Sequence, residues 1–255
     1  MTPRIRHPYL DHPGPIPFAH RGGAADGLEN TLLQFRRAIE TGYRYLETDV
    51  HATADGKLVA FHDSTLDRMT DGAGLIADRR WAEVRHARVA GKEPVPLFEE
   101  LLEAFPEARW NVDVKAESAL HPLLELIGRT GAWDRICVGS FSEARVVRAQ
   151  RLAGPRLATS YGTRGVLNLR LRSWGVPAAL RGSAVAAQVP EAQNGIQVVD
   201  HRFVRTAHAR GLHVHVWTIN DPDAMHRLLD LGVDGIMTDH IDTLRKVMEG
   251  RGVWV

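Results

Sequence analysis

Short apolar runs alternate with longer segments of helical period along most of the chain. Ile16–His20 is the first strand candidate, followed by a glycine-rich loop over Arg21–Gly27. Leu32, Leu33, Phe35, Ala38 and Ile39 then recur at helical spacing, ending at Thr41-Gly42. Tyr43–Val50 alternates and is rich in β-formers. Asp55-Gly56 suits a turn needing positive φ, and Lys57–His62 predicts a further strand. From Leu97 the rhythm resumes. Helices are predicted at Leu97–Phe105, Ala119–Thr130, Glu143–Arg151, Val204–Arg210 and Ala224–Leu231. Strands are predicted at Trp110–Val114, Ile136–Ser140, Arg156–Thr159, Ala184–Gln188, His213–Trp217 and Gly235–Thr238. Parallel strands need a helix-length crossover. Roughly eight strand–helix units in about 250 residues predict a (β/α)8 TIM barrel, with a doubly wound open sheet as the alternative.

Two stretches break this rhythm. Residues 1–15 contain four prolines and predict an irregular N-terminal arm. Residues 63–95, polar and glycine-containing around Thr70–Gly74, predict a loop-rich insertion after the second strand region. No second composition regime appears, so one barrel domain is expected over residues 16–250. Residues 160–195 carry no motif.

Composition narrows the function classes. Of 255 residues, 44% are hydrophobic and 25% charged, an ordinary globular balance. Thirty-two basic against 31 acidic residues leave a net charge of +1, which argues against a dedicated nucleic-acid binder. The single cysteine, Cys137, rules out an intramolecular disulfide and fits a reducing, cytoplasmic compartment. No apolar run is long enough for a membrane span, and the first 18 residues lack the apolar core of a secretory signal.

In a parallel barrel, chemistry collects where strands end. Candidate strand ends here repeatedly carry ionisable residues: His20-Arg21, Glu47 and Asp49, His62, Asp113 and Lys115, Trp217 with Asn220 beyond it, and Asp239. Glu47 and Asp49 are two apart, so both side chains point to one face. Two convergent carboxylates repel, and one protonates unless a cation intervenes. An all-oxygen set suits Mg²⁺ or Ca²⁺; the bland alternative is a surface pair bridged to Arg44 or Lys57. Asp113 and Lys115 have the same spacing. They fit a third metal ligand beside a phosphate-binding lysine, or a plain ion pair. His20 and His62 are the acid–base candidates. His51, next to Asp49 in sequence, is expected on the opposite face and is set aside. Arg21 offers a donor fork matched to phosphate. Glu29-Asn30-Thr31 is expected mainly to cap the first helix, with support of Arg21 as the lesser role. Trp217 is either a substrate platform or core packing.

These residues lie in text that resembles the glycerophosphodiester phosphodiesterase family. The matching segments are Ala19–Gly23, Leu28–Thr31, Leu46–Val50, Asp55–Asp63, Leu66–Gly72, Val112–Lys115, Val216–Asn220 and Gly232–Asp239, in order from about residue 16 to 245. The resemblance implies a (β/α)8 barrel with a segment inserted after His62. It also implies hydrolysis of glycerophosphodiesters to an alcohol and sn-glycerol 3-phosphate with a divalent metal, Mg²⁺ or Ca²⁺. Carried over position by position, Glu47 and Asp49 correspond to metal ligands, His20 and His62 to the acid–base pair, and Arg21 and Lys115 to phosphate contacts. The family usually has Glu where this chain has Asp113, one methylene shorter. Related barrel phosphodiesterases acting on lysophospholipids or phosphoinositides are the near alternative, and a non-catalytic phosphoester-binding barrel the distant one. The expected partner is a small phosphodiester, with neither nucleic acid nor a membrane span.

Overall fold

The computed structural model describes residues 7–255. Eight parallel strands form its centre: β1 (Ile16–Ala19), β2 (Tyr45–Ala52), β3 (Arg109–Val114), β4 (Ile136–Gly139), β5 (Ala158–Thr159), β6 (Ala186–Pro190), β7 (His213–Trp217) and β8 (Gly235–Thr238). Each pairs with the next in sequence, and β8 returns to β1 through Ile16↔Gly235. The seam between β5 and β6 is the weakest, a single Ser160–Ala186 bridge flanked by two backbone hydrogen bonds of 2.9 Å. That closure excludes the open doubly wound sheet. The helices α1 (Leu32–Glu40), α2 (Phe98–Ala104), α3 (Glu117–Thr130), α4 (Glu143–Ala153), α5 (Thr163–Ser173), α6 (His201–His208), α7 (Pro222–Asp230) and α8 (Ile241–Gly250) surround it.

The alternation along β2 builds both layers at once. All eight of its residues are buried. Leu46 and Val50 join the layer between strands and helices, where Trp110 meets Phe35 of α1 and Phe98 of α2 edge-on, with ring centres 4.9 and 5.5 Å apart. Emptying such a position, as in Phe35→Ala, typically costs about 3–5 kcal/mol. Tyr45 belongs instead to the apolar lower interior with Ile16, Phe18, Cys137, Ala158, Val185 and Met237.

Of the predicted arm, residues 1–6 lie outside the described residues. The remainder is tied to the barrel floor. Tyr9, in a short turn of helix, is completely buried in that lower cluster. Its carbonyl accepts from Tyr45 Oη at 2.7 Å and from the Arg109 guanidinium at 3.0 Å.

The strand predicted at Lys57–His62 is Leu58–Ala60, and it runs antiparallel to β2 as a hairpin rather than as a barrel strand. The physical reason is loop length, since the Thr53–Gly56 turn is far too short for a parallel crossover. Residues 63–95 hold a 3-10 turn, Ile76–Asp78, one turn of α-helix, Trp81–Val84, and a hairpin of two-residue strands. They close over a small core of Val59, Phe61, Leu66, Ile76, Val84, Ala87, Val89 and Val95. Helices α6 and α7 start earlier than predicted because Asp200 and Asp221 cap them, accepting from Phe203 N at 2.8 Å and Ala224 N at 2.9 Å. No helix among the described residues is long and apolar enough to cross a membrane.

Candidate active site

The C-terminal ends of β1, β2, β3, β7 and β8 bring the predicted residues into one mouth. β1 ends at Ala19, and the chain turns sharply over His20–Gly23. Arg21 itself takes a left-handed conformation (φ 51°), which aims its N–H at Glu47 Oε2, 3.0 Å away. Gly23 (φ 94°) is required twice over, by its backbone conformation and because a Cβ there would sit 2.8 Å from Ile241.

Each of the two histidines is oriented by a carboxylate on the same ring nitrogen. His20 Nδ1 lies 2.7 Å from Asp239 Oδ1, and His62 Nδ1 lies 2.6 Å from Asp63 Oδ1. Asp239 is held in turn by Asn220 Nδ2 at 3.0 Å. Burial pulls the His20 pKa down, but the Glu47 and Asp239 carboxylates outweigh it and leave it raised. Nε2 of His20 faces Glu47 Oε2 at 3.8 Å.

Asp49 is saturated with donors. Lys115 Nζ is 2.8 Å from Oδ1, while Asn30 Nδ2 and Arg21 Nε lie 3.1 and 3.3 Å from Oδ2. Despite burial, Lys115 and Arg21 hold its pKa below the usual carboxylate range. Glu47 pairs much less well. Burial, with the neighbouring charge of Asp49, pushes its pKa up to about 7. This is the outcome expected for two convergent carboxylates when the available cations gather round only one. The surface-pair alternative fails, because both residues are buried and neither partner is Arg44 or Lys57.

Asp113 stands beside Asp49 in the β2–β3 register. Its Oδ2 accepts from Lys115 Nζ at 2.7 Å, and its buried Oδ1 has no hydrogen-bond partner among the described residues. The Lys115 ammonium therefore occupies the seat between Asp49 and Asp113. Among the described residues no three His, Cys, Asp or Glu side chains already converge as a metal cage. The donors nevertheless fit a hard cation. Glu47, whose pKa is raised by burial and the charge of Asp49, and Asp113, with an unused buried oxygen, offer donors of the oxygen type that Mg²⁺ and Ca²⁺ prefer. Ligation by Asp49 requires Lys115 to give way.

A chain of ion pairs ties the two histidine loops together. Arg21 donates to Glu29 Oε2 at 3.0 Å, Glu29 Oε1 accepts from Arg68 at 2.7 Å, and Arg68 grips Asp63 with both Nε and a terminal nitrogen. Trp217 is half-buried at the end of β7, edge-on to the exposed ring of Phe141 with centres 5.6 Å apart. Lys115 Nζ lies 5.8 Å from the centre of that same ring.

Comparison with known proteins fits this mouth. Residues 20–243 match the model of the glycerophosphoryl diester phosphodiesterase family. A probable glycerophosphodiester phosphodiesterase 2 of Mycobacterium tuberculosis is 40% identical over 96% of this chain and 95% of its own. The chain belongs to this family. It is accordingly a phosphoric diester hydrolase. Among solved structures, a glycerophosphoryl diester phosphodiesterase of Silicibacter pomeroyi shares the fold with TM-score 0.80 and 24% identity, covering 98% of this chain and 100% of its own. A phosphodiesterase of Oleispira antarctica, solved with its product sn-glycerol-3-phosphate, superposes with TM-score 0.78 and 24% identity over 92% of this chain and 97% of its own.

The eight candidate site residues of the sequence thus lie together at the C-terminal face of the barrel: His20, Arg21, Glu47, Asp49, His62, Asp113, Lys115 and Trp217. One detail differs from expectation. His51 is two residues beyond Asp49, so the pleat puts it on the same face, not the opposite one. Its Nε2 lies 3.1 Å from the His62 carbonyl, packing it beneath the His62 turn. Both roles expected of Glu29–Thr31 are present: Thr31 caps α1, accepting from Gln34 N at 3.3 Å, and Glu29 braces Arg21, with Arg68 in addition. Asn220 and Asp239, noted in the sequence only as strand-end residues, meet His20 here. Sequence reasoning missed Asn30, Asp63 and Phe141 as neighbours of the site; adjacency to His62 was the available signal for Asp63.

Proposed function

We propose that the protein hydrolyses glycerophosphodiesters to an alcohol and sn-glycerol 3-phosphate, with His20 and His62 as the acid–base pair and a divalent cation at Glu47, Asp49 and Asp113. One observation carries this reading. Two histidines from different loops each hold a carboxylate on Nδ1, which turns both Nε2 atoms to proton transfer.

One histidine takes the proton from the attacking hydroxyl, which belongs to water or to the adjacent glycerol carbon. The bond from phosphorus to the departing oxygen breaks, and the other histidine protonates that oxygen. With the glycerol hydroxyl as nucleophile the first product is a cyclic phosphate, which water then opens. Arg21 and Lys115 lie on the same side as the carboxylates and offset charge on the non-bridging phosphate oxygens. A bound Mg²⁺ or Ca²⁺ would add Lewis-acid stabilisation of that charge. Lys115 has two parts here, as internal counter-ion to Asp49 and Asp113 and as phosphate contact once released. Trp217 and Phe141 form an apolar wall at the mouth, suited to the face of a bound substrate.

The test is hydrolysis of glycerophosphodiesters bearing different alcohols, measured with and without a chelator. Release of sn-glycerol 3-phosphate that stops on chelation and returns with Mg²⁺ or Ca²⁺ is expected. Absence of any glycerophosphodiester turnover in the metal-supplied protein overturns the proposal.

A further inference from the structure

On the outside of the barrel, between α5 and α6, lies a cavity of about 670 Å³ lined by Arg172, Trp174, Val176, Arg202, Arg205 and Arg210. Its size falls within the range of about 300–1,000 Å³ typical of small-ligand sites. The segment Ser173–Pro177 carries the chain from α5 towards β6. Helix-to-strand connections lie at the N-terminal end of the barrel strands, opposite the histidines. The cavity is therefore no extension of the catalytic mouth.

Its charge is one-sided. The chain as a whole is nearly neutral, at +1, yet four guanidinium groups share this one hollow. Among the described residues none of the four is paired with a carboxylate. The nearby Arg170 is spent elsewhere: it bonds Asp200 at 2.8 Å and lies over the Trp174 ring at 4.5 Å. Arg172 and Arg210 each donate to a backbone carbonyl, that of Ala178 at 2.6 Å and of Thr206 at 3.1 Å. Those bonds fix both side chains while most of their five N–H donors stay unused. Burial and the charge of Arg172 both lower the Arg210 pKa, as expected for like charges crowded without a counter-ion. On α6 the apolar residues Phe203, Val204 and Ala207 are buried against the barrel, which leaves Arg202 and Arg205 at the surface.

We propose that this cavity is a second anion site that binds a phosphate-bearing ligand. Several guanidinium forks around one hollow match the multiple oxygens of a phosphate group better than those of a single carboxylate. Trp174 and Val176, each 45% exposed at the rim, offer an apolar side for the group that the phosphate carries. A soluble phosphate ester and the head group of an anionic lipid both supply this chemistry.

The experiment titrates inorganic phosphate against the intact protein, following tryptophan fluorescence, and separately sediments the protein with phosphatidylcholine vesicles containing or lacking phosphatidylglycerol. A fluorescence change that is absent in Trp174→Phe is expected. It should weaken tenfold or more in Arg202→Glu/Arg205→Glu, with glycerophosphodiester hydrolysis unchanged. Arg202→Gln/Arg205→Gln repeats the measurement without reversing charge. Sedimentation that depends on phosphatidylglycerol and is lost in the double variants assigns the ligand to a lipid head group. Phosphate binding without sedimentation assigns it to a soluble ester. If both double variants behave as wild type towards both probes, or if wild type binds neither, the proposal is wrong.

Discussion

His20 and Asp239 are 219 residues apart in sequence and 2.7 Å apart in the barrel mouth. The parallel register of β8 beside β1 makes this possible, because Ala19 faces Thr238 and the residue after each strand rises at the same level. Asp239 fixes the orientation of the imidazole and favours its protonated form. Asp239→Asn should lower kcat about 100-fold, within the range lost when acid–base catalysis is mispositioned. Removing the carboxylate charge also lowers the His20 pKa, so the limb of the pH–rate profile that reports His20 should move to lower pH. An unmoved profile would detach Asp239 from His20 in catalysis.

The histidines themselves give a larger effect. His20→Ala and His62→Ala should each lose roughly 10²–10⁴-fold in kcat, with a much smaller change in KM because the phosphate contacts remain. Steady-state kinetics on variants with wild-type circular dichroism checks this. Near wild-type kcat in either variant would remove that histidine from the acid–base pair.

Metal affinity should depend on Asp113 and compete with Lys115. Asp113→Ala removes the unused buried oxygen and should weaken Mg²⁺ or Ca²⁺ binding by calorimetry while leaving the fold intact. Lys115→Met frees Asp49 of its ammonium and should tighten metal binding while lowering turnover. Unchanged affinity in both variants would show that the cation, if bound, sits elsewhere.

Arg68 is half-exposed, yet it clamps Asp63 and Glu29 together. Its ion pairs count for little as stability in so exposed a position. Their role is to hold the His62 loop against the Arg21 loop. Arg68→Lys keeps the charge but loses the two-pronged grip. It should cut kcat/KM by roughly tenfold with little change in Tm, whereas a purely structural residue would shift Tm and leave kinetics alone.

His215 lies wholly inside the barrel, and burial followed by the charge of His213 depresses its pKa to about 3. The unfolded chain binds this proton near pH 6.5, so between about 6.5 and 3 the unfolded state holds more protons than the folded one. The contribution is full above pH 6.5 and drains away as the pH falls. It should amount to a few kcal/mol at most. Denaturant titrations at pH 7 and pH 5 should show a smaller acid loss for His215→Gln than for wild type. Equal losses would show that His215 is protonated in the fold.

Alternating strands and helices, the ionisable strand ends and the segments shared with the family were all legible along the chain, because each is a local pattern of period and residue type. So were the eight residues that meet at the mouth. Leu58–Ala60 was legible as a strand after the Asp55-Gly56 turn, and the structure adds its antiparallel pairing with β2. Local pattern failed where it was thin. Helix α5 has few core-facing apolar residues and a glycine at Gly165, and went unseen. What the tertiary structure alone decided is which charges meet. Sequence spacing put Glu47 and Asp49 on one face, yet could not show that Arg21 and Lys115 would both turn to Asp49 and leave Glu47 under-compensated. Nor could it reveal the pairing of His20 with Asp239. Contacts across more than 200 residues are set by barrel closure and strand register, and no local window of the sequence contains them.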